Sequence, residues 1–172
     1  YVRGDSSVKL VPLIDGGGHE NGLRSGTLNV PGIVGFGKAC EIAQNEMPEE
    51  SCRLAGLRNR LRDRLMAEMD HVIINGCMDK RLPGNLNMSF LEVEGETLLT
   101  GLNEVALSSG SACSSGKTHA SYVLKALGLS DEAAGSAIRF GIGRFNTEAE
   151  IDYVAGRVIE LVQNLREVSA LK

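Results

Sequence analysis

Apolar positions along the 172-residue chain change period several times, and each change predicts an element. Ile151, Val154, Val158, Leu161, Leu165 and Val168 recur at helical spacing, and Thr147 with Glu150 forms a capping box at their start. Leu54, Leu57, Leu61 and Leu65 predict a helix over roughly 49–69. Ile33, Phe36, Cys40 and Ala43 predict an earlier one, with Pro31 in its first turn and an end at about residue 46. Met47-Pro48 is expected to break the chain between these two helices.

Shorter apolar or alternating runs predict strands. They are VKLVPLI (8–14, interrupted by Pro12), VIIN (72–75), LNMSFLEV (86–93), VALSS (105–109) and AIRFGIG (137–143). Short helices are expected over Gly95–Asn103, over His119–Leu127 with Gly128 as the stop, and from Ser130 onward. Strands alternate with helices, so the fold class is α/β or α+β. There is no internal repeat and no low-complexity linker.

Composition narrows the functions available. Aromatics are 4% of the chain, Trp is absent, and the net charge is -4, so neither base stacking nor a basic stripe favours a nucleic-acid partner. No run is long enough to span a membrane. The start, YVRGDSS, does not read as a signal peptide, and the expected setting is cytoplasmic with reduced thiols. It reads instead as the middle of a domain, so the chain is expected to be a fragment or a processed chain.

Cys40, Cys52, Cys77 and Cys113 fit no zinc or C-x-x-C spacing, and His19, His71 and His119 show no H-x-x-x-H pattern. Cys40 falls on an apolar stripe and is expected to fill a core. Cys52 and Cys77 lie near element ends and are expected to be structural or incidental. Cys113 differs: it sits in SSGSACSSG (108–116), where the other residues are Ser, Gly or Ala. Spacing leaves two readings open, a flexible connector that contains a thiol and a reactive thiol. A dyad with His119 lacks an orienting third group.

Two further segments carry candidate chemistry. GGGHENGLRSGT (16–27) offers backbone N–H groups and the hydroxyls of Ser25 or Thr27 to an anion, or it is a tight loop that needs glycine. It is neither a Walker motif nor a dinucleotide fingerprint. In AIRFGIGRF, Arg139 faces opposite to Ile138 and Phe140 on a strand, and Arg144 follows. Arg139 is suited to a carboxylate ligand or to a surface salt bridge.

Taken in order, GGGHENGLRSGTLNVPGIVGFGKA, SSGSACSSG followed by SYVLKALGL, and AIRFGIGRFNTEAEID resemble the carboxyl-terminal part of a cysteine desulfurase. The resemblance is to the type that serves nitrogenase and iron–sulfur cluster assembly, and it runs from residue 1 to about 157. It implies the pyridoxal-phosphate-dependent, homodimeric aminotransferase-like fold. Residues 1–46 would end the large cofactor domain, and 47–172 would form the small domain with the cysteine loop.

By the same resemblance Cys113 matches the nucleophile that takes sulfur from L-cysteine, leaving L-alanine and an enzyme persulfide. Thr27 matches the threonine that reaches the cofactor phosphate of the neighbouring subunit, and Arg139 the arginine that binds the substrate carboxylate. An iron–sulfur scaffold or another acceptor protein would receive the sulfur, and Cys113 would briefly share a cluster with it as a metal ligand. The family's cofactor lysine follows a histidine, but here His19, His71 and His119 precede Glu20, Val72 and Ala120. Lys117 lacks that setting, so the chain alone is expected to be inactive. Other readings are a free-standing acceptor-docking module, an unrelated phosphate-binding or thiol-redox protein, and a relative acting on selenocysteine.

Overall fold

The computed structural model describes residues 3–4, 7–108 and 121–170. The chain divides into two compact units, Tyr1–Glu46 and Met47–Lys172.

The first unit contains a 3-10 turn, Glu20–Gly22, and the beginning of the long helix α1, Val30–Glu68. Residues 8–14 form no strand, because nothing within this unit offers them a ladder. The expected break at Met47-Pro48 is also absent: α1 continues with Pro48 inside it. Proline removes one helical hydrogen bond there, and the helix-favouring residues Glu46, Met47, Glu49 and Glu50 flank it on both sides. Cys40 is exposed rather than buried, as are Ile33 and Phe36, since no other element of this unit covers that stripe.

The second unit is a two-layer α+β arrangement. Its strands are β1 (Val72–Ile74), β2 (Asn85–Phe90) and β3 (Ala137–Gly141), antiparallel in the order β1-β2-β3. Helices α2 (Gly95–Gly101), α3 (Tyr122–Ala126) and α4 (Asp131–Gly135) lie between β2 and β3 in sequence, and α5 (Glu148–Ala170) follows. Of the strand expected over 105–109, residues 105–107 form none, Ser108 makes an isolated bridge to Arg139, and 109 lies outside the described residues.

Alternation divides the sheet into two chemically distinct faces. Leu86, Met88, Phe90, Ile138 and Phe140 point to one face, joined by Val72 and Ile74 at the edge. They pack with Leu57, Leu61 and Leu65 of α1 and with Ile151, Ala155, Val158, Ile159 and Val162 of α5. Phe90 and Phe140 meet edge to face, with ring centroids 6.5 Å apart. Arg60 clamps Asp152 through two hydrogen bonds of 2.7 Å, tying α1 to α5 and holding the Asp152 carboxyl below its ordinary range. Phe90 is fully buried, so Phe90→Ala is expected to destabilise this unit by about 3–5 kcal/mol. Chemical denaturation followed by circular dichroism measures it.

The other face carries Asn85, Asn87, Ser89, Ala137, Arg139 and Gly141. Ala137 end is covered: Leu124 of α3 and Ala134 of α4 cluster with Ala137, and Ser89 Oγ donates to the Ala133 carbonyl at 2.5 Å. Asn75, directly after β1, donates through Nδ2 to Asn87 Oδ1 at 2.6 Å and to Ser89 Oγ at 2.8 Å. A polar row therefore crosses the sheet from Asn75 through Asn87 to Arg139.

Candidate functional site

Arg139 owes its direction to the alternation of β3, in which Ile138 and Phe140 are buried and Arg139 is exposed between them. Its backbone N–H donates to the Ser108 carbonyl at 2.7 Å, and its Nη2 donates to Ser108 Oγ at 3.3 Å. Among the described residues it makes no ion pair.

The other arginines of this unit are matched. Arg60, Arg62, Arg64, Arg144, Arg157 and Arg166 each pair with a carboxylate. Arg53 and Arg81 donate to backbone carbonyls, and Arg58 donates to the Asn59 amide oxygen. Arg144, the second arginine of AIRFGIGRF, grips Glu50 of α1 through two bonds of 3.0 and 2.9 Å. It is a tie between the turn after β3 and α1. Among the described residues Arg139 is left as a guanidinium without a carboxylate partner on a polar sheet face. A carboxylate ligand would complete it with two parallel hydrogen bonds.

Cys113, His119 and Lys117 lie outside the described residues. Both ends of their segment are nonetheless fixed on β3. Ser108 enters from its bridge to Arg139, and Leu124, after the exit, clusters with Ala137, which shares the Arg139 face. Cys113 is five residues from Ser108, and a chain of that length reaches at most about 18 Å. The sequence alone did not signal that Arg139 and the start of the cysteine segment are joined.

In the first unit the glycine loop folds onto itself. Gly18 N–H donates to Ser25 Oγ at 3.3 Å, Gly26 N–H to His19 Nδ1 at 3.3 Å, and Gly22 N–H to the Gly18 and His19 carbonyls, each at 3.1 Å. Ser25 is buried, and its N–H donates to the Ile14 carbonyl. The N–H groups of Gly18, Gly22, Ser25 and Gly26 are thus used internally, as a tight loop requires, and the Ser25 hydroxyl is buried where it accepts from Gly18. Arg24 Nη1 bonds the Gly26 and Thr27 carbonyls at 3.0 and 2.9 Å, holding the turn in which Gly26 has a φ of 98°. Thr27 itself is exposed, and its hydroxyl has no partner among the described residues. It is the exposed hydroxyl of this loop's RSGT turn, whereas Ser25 is buried.

Other candidates offer less. A cavity of about 330 Å³ lined by Leu61, Leu107, Phe140 and Ile151 is mostly apolar. The acid that reaches it, Glu150, is held below its ordinary range because it accepts from the Thr147 N–H at 2.9 Å. No cluster of His, Cys, Asp or Glu suited to a metal ion occurs among the described residues. Cys52 and Cys77 are exposed and free, like Cys40. No helix among the described residues is long and apolar enough to cross a membrane.

Comparison with known proteins agrees with this arrangement. The family model described as Aminotransferase class-V matches residues 3–154. A cysteine desulfurase IscS of Anaeromyxobacter sp. (strain Fw109-5) is 55% identical over 99% of this chain and 42% of the relative. The mitochondrial cysteine desulfurase of Arabidopsis thaliana is 52% identical over 99% of this chain and 38% of the relative. The chain thus spans about two fifths of the length of these relatives. Among solved structures, a NifS-like protein superposes with a TM-score of 0.77 at 36% identity, covering 92% of this chain and 40% of that one. A NifS-like protein from Rickettsia africae ESF-5 gives 0.73 at 27% identity, covering 91% of this chain and 41% of that one.

Proposed function

We propose that this chain, which belongs to the aminotransferase class-V family, is the carboxyl-terminal part of a cysteine desulfurase. Residues 1–46 would end the large cofactor domain, and residues 47–172 would be the small domain that presents the nucleophile. The observation that carries the reading is Arg139: it is exposed, unpaired among the described residues, and bridged to Ser108 at the start of the Cys113 segment. An amino-acid substrate held there by its carboxylate lies within reach of a thiol five residues further along the chain.

In this reading Arg139 binds and orients the carboxylate of L-cysteine. The Cys113 thiolate attacks the substrate sulfur. A new S–S bond forms and the substrate C–S bond breaks. Its electron pair stays with the carbon skeleton, which takes up a proton to become L-alanine. The sulfur remains on Cys113 as a persulfide. Small neighbours in SSGSACSSG leave room for that sulfur to meet substrate and then an acceptor.

Pyridoxal phosphate, when bound, supplies the electron sink for the carbon side of the reaction. The residues here fit one edge of it: the exposed Thr27 hydroxyl suits a phosphate oxygen, contributed across a homodimer to the neighbouring subunit's cofactor. No lysine of this chain follows a histidine, so the anchoring lysine is assigned to a part of the enzyme outside these 172 residues. The proposed acceptor is an iron–sulfur scaffold or another sulfur-accepting protein, with Cys113 briefly sharing a cluster, in the reducing cytoplasm.

The test is turnover. The full-length enzyme containing this sequence, loaded with pyridoxal phosphate and given L-cysteine and a thiol reductant, is expected to form alanine and sulfide in equal amounts. The 172-residue chain alone is expected to form neither. Alanine-free consumption of cysteine by the full-length enzyme would contradict the assignment.

A further inference from the structure

The guanidinium of Arg139 sits on an exposed strand face, where a long side chain samples several rotamers unless something holds it. Neither a carboxylate among the described residues nor burial does so. Among the described residues, the side chain it bonds is that of Ser108. The Ser108 carbonyl accepts the Arg139 N–H at 2.7 Å, which fixes the backbone, and Ser108 Oγ accepts from Nη2 at 3.3 Å, which turns the fork. On the other side, β2 pairs Asn87 opposite Arg139, and Asn87 is itself fixed because its Oδ1 accepts from the buried Asn75. The floor beside Arg139 is therefore fixed, and among the described residues its outer edge is made by the Ser108 hydroxyl.

We propose that Ser108 is a positioning residue for the substrate carboxylate, acting through Arg139. This rests on the reading above in which Arg139 binds that carboxylate. A hydroxyl suits the task. It accepts one guanidinium N–H without neutralising the charge, so the remaining donors stay free for the ligand. An aspartate at the same place would satisfy Arg139 and compete with substrate. An alanine would leave the fork without its guide and add a rotamer cost to each binding event.

The experiment is steady-state kinetics of the full-length enzyme with L-cysteine, comparing wild type with Ser108→Ala, Ser108→Thr, Ser108→Asp and Arg139→Ala. Loss of one hydrogen bond to a charged group predicts a KM about fivefold higher for Ser108→Ala, with kcat changed by less than about twofold. Ser108→Thr retains the oxygen and is expected to restore most of the KM. Ser108→Asp is expected to raise KM more than Ser108→Ala does. In an Arg139→Ala background, Ser108→Ala should add nothing to KM, since its effect passes through the guanidinium.

An unchanged KM in Ser108→Ala, with Arg139→Ala impaired, would overturn the role of Ser108 and leave the function standing. So would equal additive effects of Ser108→Ala in both backgrounds. An unchanged KM in Arg139→Ala would instead overturn the carboxylate site itself, and with it this proposal. Unfolding midpoints of the same variants identify a folding defect. Should Ser108→Ala fail to fold, the Thr and Asp variants carry the comparison, and a Ser108→Asp enzyme with wild-type KM would refute the role.

Discussion

Replacing Cys113 with serine in the full-length enzyme is expected to lower cysteine-dependent sulfide release by about a thousandfold or more. The step requires a nucleophile that attacks sulfur and then holds a second sulfur atom. A serine hydroxyl stays protonated near neutral pH and is a poor nucleophile toward sulfur, whereas a thiol ionises within reach of neutrality. The chain contains its own controls. Cys40, Cys52 and Cys77 are exposed and free, so each is chemically accessible. Accessibility alone does not qualify them, because none lies in the segment that begins at the bridge between Ser108 and Arg139. Serine at those positions is expected to leave the rate within about twofold. Sulfide production is the readout, and a parallel unfolding curve separates lost chemistry from lost fold.

Arg139→Ala is expected to raise KM for L-cysteine by about 10- to 100-fold, the range set by losing a charge-assisted, two-pronged hydrogen bond. Arg139→Lys should recover only part of it, because an ammonium presents a point charge rather than a planar fork. The same substitution is expected to change stability by no more than about 0.5 kcal/mol. Arg139 is exposed and holds no carboxylate among the described residues. Arg60→Ala provides the contrast, since Arg60 joins α1 to α5 through Asp152. It is expected to alter unfolding and not KM. Measuring KM and the denaturation midpoint for both variants checks the division.

Local chemistry was the part of the fold most legible in the sequence. The capping box is formed: Glu150 N–H donates to Thr147 Oγ1 at 3.3 Å, while Glu150 Oε2 accepts the Thr147 N–H. Ser130 caps α4 by accepting from the Ala133 N–H at 3.2 Å. Gly128 adopts the positive φ, 88°, expected of a stop after α3. Each is decided within four residues, so periodicity and residue type suffice.

What depends on distant partners was not legible. Residues 8–14 and 105–107 have apolar patterns but no ladder within their units, and a strand needs a neighbour to pair with. Pro48 was read as a break because its local cost is known, yet its flanks keep the helix intact. Cys40 lies on an apolar stripe that its own unit leaves exposed.

The site divides in the same way. Alternation in AIRFG correctly directs Arg139 away from Ile138 and Phe140. Its lack of a carboxylate among the described residues depends on which acids the fold gives to Arg60, Arg64, Arg144 and Arg157, and no local pattern encodes that. The glycine loop left two readings open in the sequence, and its internal bonds through Ser25, His19 and backbone carbonyls depend on how it folds back on itself. Thr27 carries the exposed hydroxyl of that turn.

In the proposed reaction, sulfur from the substrate comes to rest on Cys113. The most direct measurement is peptide mass spectrometry of the full-length enzyme after a brief reaction with isotopically sulfur-labelled L-cysteine and no reductant. The peptide spanning SSGSACSSG is expected to gain one labelled sulfur atom, lost again on adding a thiol reductant. Alanine formation with the label on Cys40, Cys52 or Cys77, and none on Cys113, would contradict it.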